Sequence, residues 1–166
     1  LYQLEVDDHI FPITQQWQMA QGSSMRQKPG STYFVDCPTG LFNAMIAPFQ
    51  DLPITGMLWY QGESNAGQPD YADYLVRMVQ DWRTQWHTEF PVVVMELASF
   101  QKGHNPPLEK NWAVMRQQQL QATQRLTRAA LAPLADTGEW NDIHPQDKDI
   151  AGQRAAEKMS KLVYGK

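Results

Sequence analysis

"ITGMLWYQGESNAGQPDYADYLVRMVQDWRTQWHTEFPVVVMELA", Ile54 to Ala98, is the stretch that decides the fold. It opens and closes on short apolar runs, Ile54–Tyr60 and Pro91–Ala98, with the length and composition of strands buried on both faces. Between them Tyr71, Tyr74, Leu75, Met78, Trp82 and Trp86 recur at helical spacing, and Asp70 stands where an N-cap belongs. A strand, a helix and a second strand of this kind predict a right-handed crossover between parallel strands.

The pattern continues downstream. Trp112, Met115, Leu120, Ala122 and Leu126 form a thinner stripe on a glutamine-rich background, predicting a helix from about Trp112 to Arg128. Ala129–Ala135 reads as a third strand, although it carries a proline and no β-branched residue. A last helix follows His144, with Pro145 in its first turn and Ile150, Ala151, Ala155, Met159 and Leu162 on one side. The alternation predicts an α/β layered fold with a parallel sheet covered on both faces. Upstream, Leu41, Ala44, Met45 and Phe49 suit a short helix ending near Pro48. Residues 1–36 read as a loop-rich segment with one possible short strand at Ile13–Met19, and residues 37–166 as the α/β portion.

Composition sets outer limits. A chain of 166 residues holds one ordinary domain. Its net charge of −4 and scattered Lys and Arg offer no basic face to nucleic acid or to an anionic membrane. No apolar run approaches the roughly 20 residues of a membrane span. Cys37, the only cysteine, has no internal disulfide partner and no zinc-ligand neighbours, and reads as a small buried residue. The opening "LYQLEVDDHIF" lacks a basic-then-apolar secretion signal and starts without methionine, as a mature or excised piece of a longer product would.

Two stretches carry chemistry. In "GESNA" Ser64 has the small-x-Ser-x-small setting of a nucleophile elbow, but that motif needs a helix directly after the serine, and Asn65 to Pro69 read as loop. The same loop leaves the carboxyl end of a parallel strand, where ligands bind in open α/β sheets. There the Gln61 amide could donate to a developing oxyanion, Gly62 could let backbone approach a ligand, and Glu63 could orient its neighbours. The plain alternative is a polar loop bonded only to itself.

The second stretch is "DTGEWNDIHPQDK", Asp136 to Lys148. Asp142 and His144 stand two apart, so in extended backbone they point the same way, and the carboxylate can reach one ring nitrogen while leaving the other free. That is the orienter and base of a hydrolytic triad. Two alternatives stay open: Asp142 as a helix cap, and Asp136, Glu139, Asp142 and His144 as a divalent-metal site that lacks a second histidine. His9 lies in an unplaced N-terminal segment, His87 reads as a surface cap near a helix end, His104 reads as a loop residue that could also line the crevice, and Trp59, Tyr60 and Trp140, which flank the site, read as packing.

Taken together, "LFNAMIAPF", "ITGMLWYQGESNAG", "NWAVMRQQQ" and "DTGEWNDIHPQDKDIAGQRAA" resemble, in order, the sialate O-acetylesterase family of the SGNH-hydrolase superfamily, over about Pro38 to Lys166. The resemblance implies a three-layer, flavodoxin-like α/β/α domain. It also implies removal of O-acetyl groups from sialic acid or a related sugar by a serine nucleophile, without metal or cofactor, in a periplasmic or secreted setting. The family's D-I-H-P motif falls on Asp142 to Pro145, carrying its triad aspartate and histidine to Asp142 and His144. Its Q-G-E-S-N motif falls on Gln61 to Asn65, the substrate wall, with Gln61 first and Asn65 second as oxyanion donor, and Ser64 not the nucleophile. The family's G-Q-S-N-M nucleophile motif has no match; "QGSSM", with Ser23 and Ser24, resembles it only superficially. The expectation is an α/β domain incomplete at its N-terminus, with the serine outside the chain and a companion chain or self-association covering the gap. The competing expectations are a noncatalytic sugar-binding or interaction remnant and an α/β-hydrolase-type esterase using Ser64.

Overall fold

The computed structural model describes residues 3–6, 9–12, 38–100, 107–139 and 141–165. The expectations attached to Ile13–Met19, Ser23, Ser24, Cys37, His104 and Trp140 fall outside these residues. The chain divides into two compact units, Leu1–Gly40 and Leu41–Lys166. In the first, β1 (Gln3–Val6) pairs antiparallel with β2 (His9–Pro12). The sequence reading placed no element there, because two four-residue runs are too short to establish a period.

The second unit is built on a parallel sheet in the order β3 (Met57–Trp59), β4 (Val92–Met95) and β5 (Ala129–Ala132). Helix α1 (Tyr71–Gln85) connects β3 to β4, α2 (Pro107–Arg125) connects β4 to β5, and α3 (Asp149–Tyr164) follows β5. Strand β4 is central and its three valines are fully buried. Alternation along it sorts the layers: Val92 and Val94 pack with α1 and α2, whereas Val93 and Met95 pack with α3. The α/β/α layering expected from the sequence is therefore present, and burying each β4 valine contributes about 1.5–3 kcal/mol.

The structure corrects several local expectations. Asp70 occupies the N-cap position of α1 but makes no side-chain cap bond. The Ala72 amide instead donates to Gln118 Oε1 on α2 at 3.2 Å, and Gln118 Nε2 donates to the Gln68 carbonyl at 2.7 Å. One helix thus caps the other. The buried face of α1 is Tyr71, Ala72, Leu75, Val76, Val79 and Arg83, while Tyr74 is 62% exposed and Met78, Trp82 and Trp86 are half-buried along its flank. The predicted stripe was rotated toward the larger aromatics. Helix α3 begins at Asp149, not at Pro145, which lies buried in the preceding loop; the Asp149 amide donates to Asp147 Oδ1 at 2.9 Å. Phe42–Ile46 is a π-helical turn continued by a 3₁₀ turn, Ala47–Phe49, and leaves Leu41, Met45 and Phe49 exposed.

At the amino end of the sheet the buried Arg83 guanidinium donates to the Phe90 carbonyl (2.8 Å) and the Thr127 carbonyl (2.8 Å), and pairs with Glu89 at 3.2 Å. It ties the entries of β4 and β5 together. The carboxyl end is thereby left to loops.

Candidate active site

Strand β3 delivers Tyr60 and Gln61 at its carboxyl end. The Gln61 carbonyl accepts two hydrogen bonds from below, from the Tyr71 hydroxyl (2.8 Å) and from Gln119 Nε2 (3.1 Å). Tyr71 in turn accepts from Trp59 Nε1 at 3.1 Å, and burial, the largest influence, pushes its phenol pKa up, so it stays neutral. Gln119 is fully buried. Its Oε1 accepts from the Leu97 amide (3.0 Å), and its Nε2 donates also to the Met95 carbonyl (3.3 Å), so one side chain fastens the ends of β3 and β4. Helix α2 adds Trp112 Nε1 to the Ala98 carbonyl (2.8 Å) and Arg116 Nε to the Leu97 carbonyl (2.9 Å).

Gly62 turns the chain with φ 149°, a conformation that disfavours any side chain. Its N–H donates to Glu63 Oε2 at 2.9 Å, the carboxylate folding back on the preceding residue. Glu63–Asn65 then forms a 3₁₀ turn. Gln61 Nε2 donates to Asn65 Oδ1 (2.6 Å) and Asn65 Nδ2 to Gln68 Oε1 (2.8 Å). Each amide nitrogen carries a second proton that these bonds do not use. Ser64 is exposed on the 3₁₀ turn, and α1 begins only at Tyr71, so no helix follows it directly. Beside the loop lies a cavity of about 340 Å³ lined by Trp59, Gln61, Asn65, Tyr71, Tyr74, Leu75 and Met78.

The histidine loop leaves β5. Glu96, just beyond β4, accepts from the Leu134 and Ala135 amides (2.9 and 3.1 Å), and the Ser99 amide donates to the Thr137 carbonyl (2.7 Å). Gly138 has φ 85° and passes so close that a Cβ there would stand 3.0 Å from Ala98 Cβ and from the Ser99 carbonyl oxygen. Asp136 is gripped by Arg154, which holds its carboxyl down at about 2. Ile143 packs on the core, Pro145 is buried and His144 is exposed.

Asp142 departs from the expected geometry. Its Oδ1 accepts from the His144 backbone amide (2.8 Å) and its Oδ2 from Gln146 Nε2 (3.2 Å), where the spacing predicted a bond to the imidazole ring. A short acidic side chain next to a turn finds the amide two residues on before it finds a side chain. The His144 amide, then Gln146, and the nearby His144 and Lys148 charges hold the Asp142 carboxyl below its ordinary range. Nearby, Glu139 Oε2 is buried with no hydrogen-bond partner among the described residues.

The two loops meet. Lys148 Nζ stands 5.3 Å from the centroid of the Tyr60 ring, which brings the histidine loop against the residue preceding Gln61. Gln61, Gly62, Glu63 and Asn65 share one turn, and Asp142 and His144 share the other, both at the carboxyl edge of the sheet. Sequence reasoning missed Gln119 and Tyr71. The signal for Gln119 was available: Trp112, Met115, Gln119 and Ala122 form the buried stripe of α2, continued just past its end by Leu126, with a glutamine where the pattern demands an apolar residue and Leu120 only half-buried.

Residues 16–161 match the family model described as carbohydrate esterase, sialic acid-specific acetylesterase. The chain is 27% identical to the sialate O-acetylesterase of Mus musculus over 75% of its own length and 26% of that protein's. It is also 27% identical to that of Homo sapiens, covering 27% of it. A solved carbohydrate acetylesterase from Xanthomonas citri superposes with a TM-score of 0.68 at 32% identity, over 76% of this chain and 30% of the other. The chain spans about a quarter of the length of the curated relatives it matches.

Proposed function

Because this chain belongs to the sialic acid-specific acetylesterase family of carbohydrate esterases, we propose that it supplies the base-bearing wall of an O-acetyl ester hydrolase acting on sialic acid or a related acetylated sugar. The observation that supports the reading is the approach of Lys148 to the Tyr60 ring at 5.3 Å, between the loop that carries the exposed His144 and the strand end that carries Gln61. The nucleophile in this reading is a serine from polypeptide outside these residues, since the Ser64 turn lacks the helix that an elbow requires.

His144 takes the serine proton as the oxygen attacks the acetyl carbonyl, and returns it to the sugar oxygen as the tetrahedral adduct collapses to an acetyl-serine. A water activated by the same imidazole then releases acetate. The spare N–H of Gln61, with that of Asn65 beside it, faces the oxyanion; a well-placed donor of this kind is worth about 3 kcal/mol. Asp142 acts through charge and position. Its carboxylate stays ionised because its pKa is depressed, favours the imidazolium when it forms, and fixes the loop through the His144 amide.

The test uses p-nitrophenyl acetate and an O-acetylated sialic acid. The purified chain alone should turn over little of either. Joined by a serine-bearing polypeptide of the family it should become active, and His144→Ala should then cost on the order of a thousandfold or more in kcat, while Ser64→Ala leaves activity unchanged. Ordinary esterase turnover by the chain alone, abolished by Ser64→Ala, would overturn the reading in favour of the elbow.

A further inference from the structure

Three hydrogen bonds close a ring around the main chain of His144. Its N–H donates to Asp142 Oδ1 at 2.8 Å, and its carbonyl accepts from Gln146 Nε2 at 3.2 Å. The same Gln146 nitrogen donates to Asp142 Oδ2, also at 3.2 Å. A primary amide carries two protons, one for each of these acceptors. Both polar main-chain groups of His144 are therefore held, and the two side chains that hold them are bonded to each other.

The ring stands outside the packing that anchors this loop. Ile143 lies against the core and Pro145 is buried, whereas His144 and Gln146 are exposed. Pro145 also fixes its own φ, so the chain is pinned on each side of His144 without help from Gln146. Hydrogen bonds between exposed groups exchange water partners for protein ones and add little to stability. What Gln146 adds is direction. With the N–H and the C=O of His144 both bonded, the peptide planes on either side of its Cα are restrained, and with them the bond that carries the imidazole. Asp142, bonded through both oxygens, is restrained as well. The His144 amide, then Gln146, and the His144 and Lys148 charges keep its carboxyl below the ordinary range.

We propose that Gln146 is a positioning residue of the site, its amide aiming the His144 imidazole and holding the Asp142 carboxylate beside it. The assignment rests on His144 as the base of the ester hydrolysis proposed above. Proton transfer tolerates little error in aim, since a displacement of about 1 Å can cost on the order of a hundredfold in rate. The requirement at position 146 is for donors. Both partners of the Gln146 amide are acceptors, so a side chain of similar reach that keeps N–H groups can replace it, and one without them cannot.

Two variants of similar length separate the roles: Gln146→Met removes the donors, and Gln146→Lys retains them. In the full chain by itself, Gln146→Met should raise the Asp142 carboxyl pKa toward the ordinary range and speed hydrogen exchange at the His144 amide several-fold. Gln146→Lys should do neither, and both variants should melt with the parent, because the position is exposed. Once a serine-bearing polypeptide of the family completes the site, Gln146→Met should lower kcat on p-nitrophenyl acetate roughly tenfold with KM unchanged, and Gln146→Lys should keep most of the parent's rate. An Asp142 pKa and a His144 exchange rate indifferent to Gln146→Met would show that the ring does not form in solution, and would overturn the proposal without reference to activity. A kcat that Gln146→Met leaves intact, where His144→Ala abolishes turnover, would overturn it while the hydrolase reading stands. Turnover that survives His144→Ala would remove that reading, and this assignment with it.

Discussion

The turn Gln61–Asn65 and the loop Asp136–Lys148 meet at Tyr60, yet they are held in opposite ways. The first is fastened from beneath by buried neutral groups, Gln119 and Tyr71, which hold the Gln61 carbonyl. The second is tied down where it begins by charged side chains, Glu96 to the sheet and Asp136 to Arg154, and beside its histidine the Asp142 carboxylate holds the His144 amide. Buried neutral bonds resist salt and pH, whereas exposed charged ones respond to both. One wall is a fixed template and the other a titratable arm.

The most severe way to break this contrast is Gln119→Leu. It leaves the Leu97 amide and the Met95 carbonyl without that partner in the core and removes one of two donors to Gln61. The expected loss is about 3 kcal/mol or more in urea unfolding. Exchange at the Asn65 amide should rise well before that at the His144 amide; equal loosening of both would show that the two walls are one unit. Next comes Gly62→Ala, which forces a side chain to φ 149° and should cost about 1–3 kcal/mol, with the damage confined to the first wall. Tyr71→Phe, which removes the hydroxyl between Trp59 and Gln61, should cost about 1 kcal/mol in the same assay.

The smallest effect belongs to acid. Arg154 lowers the Asp136 pKa from 3.8 to about 2 in the folded chain. A depressed carboxyl contributes its stability above the unfolded value and loses it as the pH falls through the folded one. Between 3.8 and about 2, signals of the histidine loop should therefore titrate while those of the Gln61 and Gln119 side-chain amides stay put. Movement of both sets together would erase the distinction.

Much of this was legible in the residues. The apolar runs located β3, β4 and β5, even where Pro133 seemed to spoil the last of them, because the proline stands just past Ala132. The two motifs led to one edge because each follows a strand's carboxyl end. What escaped were side chains acting across the sequence: the cap on α1 from Gln118, and the bonds of Gln119, which lie 22 and 58 residues from their partners Leu97 and Gln61. A polar residue in a helix is read as solvated unless its place in the apolar stripe is weighed. The orientation of Asp142 was missed for a local reason. Spacing of two residues fixes the side on which a carboxylate lies, not which of the available donors it takes.

The cap on α1 has a consequence for how the chain folds. Ala72 and Gln118 are 46 residues apart, so the first turn of α1 lacks its partner until α2 has arrived and β4 between them has been laid down. Neither crossover carries its full set of bonds alone, so we expect the rate-limiting ensemble to hold both helices against the central strand. Formation of β3, α1 and β4 as an early independent intermediate is accordingly disfavoured, and Gln118→Ala should slow refolding more than it hastens unfolding.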